Sequence, residues 1–112
     1  MRKLTISALT AAALLAVPLF AGTGSAATTI RLGDDFFAPS SKTVAAGSKV
    51  RFRWTGNRPH NVTKSRGPGR GFASKTTRRR GVNFAKRFSK RGTYRLYCSI
   101  HPSTMRMTLR VR

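Results

Sequence analysis

Strict alternation of apolar and cationic residues limits this chain more than any other feature. In Lys49-Val50-Arg51-Phe52-Arg53-Trp54, the apolar Val50, Phe52 and Trp54 fall on one side and three cations on the other. A period of two belongs to a strand with one dry and one wet face; a helix would scatter both sets around its circumference. Thr93-Tyr94-Arg95-Leu96-Tyr97-Cys98 repeats the pattern, and Met107, Leu109 and Val111 repeat it at the C-terminus. Val82, Phe84 and Phe88 suggest a fourth strand, its apolar side interrupted by Lys86. Residues 27–32, 43–45 and 60–64 are shorter candidates. Gly47-Ser48, Thr55-Gly56-Asn57 and Arg91-Gly92 supply turns, while 65–71 and 76–81 are loops by composition. Short strands at near-regular spacing predict an all-β sandwich or barrel, with Phe52, Trp54 and Tyr94 in its core.

The first 26 residues stand apart. Arg2 and Lys3 precede an apolar stretch from Leu4 to Phe20, and Gly24-Ser25-Ala26 ends it with small residues. That is the pattern of a secretory signal peptide over 1–26, removed to leave a single domain over 27–112. No later apolar run approaches the roughly 18 residues a membrane span needs. A periplasmic, cell-wall-associated or extracellular location is expected, and the mature chain is expected to be a monomer.

Charge and size exclude several function classes. The chain carries 23 Lys and Arg against two acids, Asp34 and Asp35. Adjacent in one turn, these two do not form the separated carboxylate pair of an acid–base enzyme, and the domain is too small for a cofactor fold plus a substrate fold. The expectation is a protein that is not an enzyme. Low hydrophobicity with high net charge is also the composition of disordered chains. The periodicity of the apolar residues argues for a fold.

Cys98 is the sole cysteine, so no internal disulfide exists in a chain expected to enter an oxidising compartment. Both histidines of the chain lie close to it in the proposed topology. His101 follows Cys98 by three residues, Met105 lies in the same loop, and His60 opens a candidate strand that can meet them across a sandwich. Singly, a lone cysteine reads as a small core residue and each histidine as a surface one. Jointly, one thiolate, two imidazoles and a thioether are the donor set of a blue-copper electron-transfer site.

The segments carrying these residues, Pro59-His60-Asn61-Val62 and the run GTYRLYCSIHPSTM at 92–105, resemble the cupredoxins, the small blue copper proteins of plastocyanin and amicyanin type. The run DDFFAPSSKTVAAGSKVRFRW at 34–54 is similar to the strands that precede them, and 65–85 matches least well. The resemblance implies an eight-stranded Greek-key sandwich with one copper ion, Cu(I)/Cu(II), near one end. It implies His60, Cys98 and His101 as equatorial ligands and Met105 as the axial one, although the spacing from His101 to Met105 departs from the family's usual lengths. Asn61 matches a residue that ties the two ligand segments together, and electrons would pass through the His101 ring within a patch for which Pro59, Ile100 and Pro102 are candidates.

Cations on strand faces explain part of the charge, but Arg66, Arg70, Arg78, Arg79 and Arg80 lie outside the alternating runs. A field of this sign attracts polyanions and acidic proteins. The expected partner is therefore an acidic redox protein, with an anionic cell-envelope polymer as a further candidate. Nucleic acid is disfavoured by export and by aromatics that read as core. The rival reading is a polyanion-binding module on the same fold, or a copper store without a redox role.

Overall fold

The computed structural model describes residues 27–112; the segment read as a signal peptide lies outside them. Eight strands follow one another: β1 (Thr28–Gly33), β2 (Phe36–Ala38), β3 (Ser41–Val44), β4 (Ser48–Trp54), β5 (Thr63–Arg66), β6 (Gly81–Phe88), β7 (Gly92–Tyr97) and β8 (Arg106–Val111). They form two four-stranded sheets in the orders β2-β1-β4-β6 and β3-β8-β7-β5. Both sheets are mixed, because β1 runs parallel to β4 and β3 parallel to β8. The expected all-β sandwich is what the chain forms.

The alternating runs set the core. Val50, Phe52 and Trp54 of β4 are buried, as are Tyr94 and Leu96 of β7 and Met107, Leu109 and Val111 of β8. Ile30, Leu32 and Val62 complete the inner layer. Each such side chain contributes about 1.5–3 kcal/mol when fully removed from water. An aromatic chain closes one flank, with ring centroids 5.6 Å apart for Phe52–Phe84, 5.8 Å for Phe72–Phe84 and 5.1 Å for Phe88–Tyr94. Tyr94 also donates its hydroxyl to the Lys90 carbonyl at 2.6 Å, pinning the turn ahead of β7. Burial pushes the Tyr94 hydroxyl pKa above its ordinary value.

Two local expectations are corrected, for Val82 and His60, and two details are added, for Lys86 and β2. Val82 does not face the core: it pairs with Arg53 while Phe84 pairs with Phe52, so Asn83 is the extra residue of a bulge and Val82 turns outward, 42% exposed. Lys86 stays on the inner side of β6 but places its ammonium 5.1 Å from the Phe72 ring, so its stem packs while its charge meets an aromatic face. His60 does not open a strand. It makes an isolated bridge to Thr77, and β5 begins only at Thr63 and runs on through Arg66. Finally, the three-residue β2 pairs with β1 through a hairpin whose tip is Asp34-Asp35, with Asp35 at a φ of 72°.

On the outer face of the first sheet, like charges stand opposite one another. Arg31 pairs with Arg53 across β1 and β4, and Lys49 with Arg87 across β4 and β6. Such pairs weaken a sheet slightly, and the buried face must outweigh them.

Candidate metal centre

Three connections meet at one end of the sandwich: the β1–β2 hairpin tip, the segment between β4 and β5, and the β7–β8 loop. His60 belongs to the second. Its backbone exchanges hydrogen bonds with Thr77, at 3.0 and 3.1 Å, and its carbonyl accepts the Trp54 indole N–H at 3.2 Å. Cys98 stands one residue past β7, and its N–H donates to the Met105 carbonyl at 3.0 Å, closing the loop. Within that loop His101 N–H donates to the Cys98 carbonyl and Met105 N–H to the His101 carbonyl, both at 3.0 Å. The turn therefore fixes the spacing of Cys98, His101 and Met105 through its backbone.

The side chains converge. Cys98 Sγ lies 3.9 Å from His60 Nδ1 and 3.7 Å from His101 Nδ1, and the ligand-capable atoms of all three residues fall within 4.8 Å of one another. His60, Cys98 and Met105 are fully buried, while His101 reaches the surface with a fifth of its side chain exposed. A metal bonded to a thiolate at ~2.3 Å and to imidazoles at ~2.0–2.1 Å in a trigonal plane needs about 3.8 Å between sulfur and nitrogen. The two measured separations straddle that value, so the donor set fits one ion.

Asn61 ties the segments together. Its Oδ1 accepts the Ser99 backbone N–H at 3.0 Å, its amide donates to Ser99 Oγ at 2.8 Å and Thr76 Oγ1 at 2.9 Å, and its own N–H donates to Cys98 Sγ at 3.5 Å.

The two acids, set aside on sequence grounds, stand directly behind the histidines. Asp34 Oδ1 lies 3.1 Å from His60 Nε2. Its carboxylate also accepts the Asn57 and Arg58 backbone N–H groups at 2.9 Å, which hold its pKa down at about 2. Asp35 Oδ1 lies 3.1 Å from His101 Nε2 as an ion-pair contact without a formed hydrogen bond, and Asp35 Oδ2 is 3.2 Å from the Arg58 guanidinium. Gly56 makes room for this docking, since a Cβ there would lie 2.2 Å from Asp34 Oδ1. The place of the two acids behind the rings follows from the pairing of β1 with β2 and β4, which adjacency in the sequence does not reveal.

A model of copper binding proteins, the plastocyanin/azurin family, matches residues 25–112. The chain belongs to that family. It is similar to plastocyanin of Rumex obtusifolius, 36% identical in an 85-residue alignment that covers 64% of this chain and 86% of the relative. Plastocyanin A/B of Petroselinum crispum is 34% identical over 83 residues with the same coverage. Among solved structures, an oxidized amicyanin variant superposes with a TM-score of 0.68 at 20% identity, covering 77% of this chain and 82% of the other. A purple cupredoxin from Nitrosopumilus maritimus gives 0.64 at 24%, covering 76% and 99%. As a cupredoxin, the protein binds one copper ion and is a type 1 copper electron carrier.

The arginines divide into two groups. All five are exposed. Arg78, Arg79 and Arg80 follow Thr77, the bridge partner of His60, and Arg80 donates to Asn57 Oδ1. Arg66 ends β5, and Arg70 lies in a loop that packs near Lys90 and Gly92, away from the metal end.

Proposed function

We propose that this cupredoxin is exported and passes single electrons between partner proteins, with copper held by His60, Cys98 and His101 and with Met105 as a weaker fourth ligand. The observation that carries this reading is the buried thiol with two imidazole nitrogens aimed at it from separate segments. Copper bound there supplies a one-electron couple, its thiolate ligand suiting Cu(I) and its imidazoles Cu(II). The chain's own contribution is rigidity. Asn61, the Trp54 indole and the backbone turn at 98–105 hold the donors in place, so little need rearrange between two oxidation states.

His101 joins the buried sulfur to the surface, beside Ile100, 46% exposed, and the exposed Pro102. Arg58 reaches this end through Asp35, Arg80 through Asn57, and Arg106 donates to the Pro102 carbonyl at 2.6 Å. An apolar contact rimmed by cations suits an acidic redox partner. The reading assigns no substrate turnover and a monomeric carrier. Export is supported by the signal-like sequence of residues 1–26, and among the described residues no helix is long and apolar enough to cross a membrane.

Arg66 and Arg70 favour a second contact, because they lie away from the metal end, where an anionic cell-envelope polymer can hold the protein while His101 stays free.

The test is Cu(II) titration of the mature chain with visible absorption and electron spin resonance, beside Cys98→Ser. An intense thiolate-to-copper band at one equivalent, lost in the variant, is the expected result. A colourless protein without stoichiometric copper would overturn the reading.

A further inference from the structure

We infer that Asp34 and Asp35 form a carboxylate clamp that positions both imidazoles and lowers the copper reduction potential. The inference rests on the ligand assignment above and extends it to residues that touch no metal. With Nδ1 of each ring facing Cys98 Sγ, the ring proton belongs on Nε2, and both Nε2 atoms meet a carboxylate oxygen at 3.1 Å. A carboxylate at that place, hydrogen-bonded to the His60 ring and facing the His101 ring as a charge, favours the tautomer whose other nitrogen is free to ligate. A carboxylate behind a ligating imidazole also strengthens it as a donor.

Three features show the clamp to be built. The tip of one hairpin serves both rings, which come from separate segments. Asp34 is anchored by the Asn57 and Arg58 N–H groups, so its oxygen cannot swing away without breaking them. Asp35 Oδ1 is buried and, among the described residues, has no partner but the His101 ring, while its other oxygen is held by Arg58.

Charge sets the direction of the shift. Surface cations favour the ion of lower charge, but exposed arginines are screened by water and salt. The two carboxylates act from one ring-width away and favour Cu(II) over Cu(I). Asp34 and Asp35 are positioning residues, and they are also the chain's entire supply of side-chain negative charge.

The test uses the mature protein with Asp34→Asn, Asp35→Asn and the double variant, measuring the midpoint potential by voltammetry. Each single variant should move the ratio of Cu(I) to Cu(II) affinity about tenfold toward Cu(I), a rise of about 59 mV, with the two effects adding. In copper-free protein, ¹⁵N NMR should show Nε2 protonated on both rings, with His101 becoming a tautomer mixture in Asp35→Ala. If Asp34→Asn fails to fold, Asp35→Asn and Asp35→Ala, which break no backbone anchor of the turn, carry the test alone. A drop in melting temperature with potential and tautomers unmoved would overturn the clamp and leave a merely structural turn. A blue wild type with unmoved potentials removes the clamp alone; a wild type that forms no blue site removes the copper reading with it.

Discussion

Asn61 and Ser99 are joined twice: the Ser99 backbone N–H donates to Asn61 Oδ1 at 3.0 Å and the Asn61 amide donates to Ser99 Oγ at 2.8 Å. One side chain thereby fastens the residue after His60 to the residue after Cys98. Asn61→Ala would strand the Ser99 N–H in a half-buried place, at a cost of about 1–3 kcal/mol. Chemical denaturation of the copper-free protein should show that loss. The thiolate band should also broaden in the copper form, because the two segments lose their tie. Unchanged stability and an unchanged spectrum would make Asn61 a bystander.

Acid should weaken the copper-free fold through Asp34. Its folded pKa is lowered from the ordinary 3.8 to about 2, so its contribution is complete above the unfolded value and is lost as pH falls through the folded one. Denaturation midpoints of wild type and Asp34→Asn, compared from about pH 5 to about pH 2, should converge as the pH falls. A gap that stays constant across that window would contradict the assignment.

Met105 and Met107 are both buried, but only Met105 is proposed as a ligand. Leucine replaces methionine in a core at a cost below about 1.5 kcal/mol, so both variants should fold. Met105→Leu should raise the potential, because a lost donor is missed more by the ion of higher charge. Met107→Leu should leave it in place. Equal effects would mean that Met105 is only packing.

The two arginine groups should separate in kinetics. Replacing Arg78, Arg79 and Arg80 by serine should slow electron transfer to an acidic acceptor about tenfold at low salt and flatten the salt dependence. Replacing Arg66 and Arg70 should do neither, yet should lower retention on an immobilised polyanion. The reverse pattern would move the docking surface to the other end.

Phe52 joins the aromatic chain to the middle of β4 and is fully buried. Phe52→Ala should cost about 3–5 kcal/mol, most of what holds a domain of this size. Thermal melting of the copper-free form should report it directly.

Most of the sandwich was legible because burial imposes a period of two, and β4, β7 and β8 carry it without interruption. Val82 misleads because a bulge at Asn83 shifts the phase by one residue, and a single inserted residue leaves no mark on composition. Three residues are too few for β2 to show any period. The ligands stood out because the chain has one cysteine and two histidines. Asp34 and Asp35 did not, because adjacency in sequence says nothing about where a hairpin tip lands. Only the pairing of β1 with both β2 and β4 brings that tip against the rings. The two arginine groups divide for the same reason: distance along β5 and β7 is not visible in a string.

The facing cations on the first sheet, Arg31 with Arg53 and Lys49 with Arg87, have a consequence for the medium in which the protein works. Cationic side chains rooted at facing ladder positions repel one another and gather counterions. The surrounding anions thus become a standing component of the folded molecule. Its stability is set jointly by its own core and by the ionic company it keeps, and a dilute, salt-free buffer is the harshest neutral solvent it can meet.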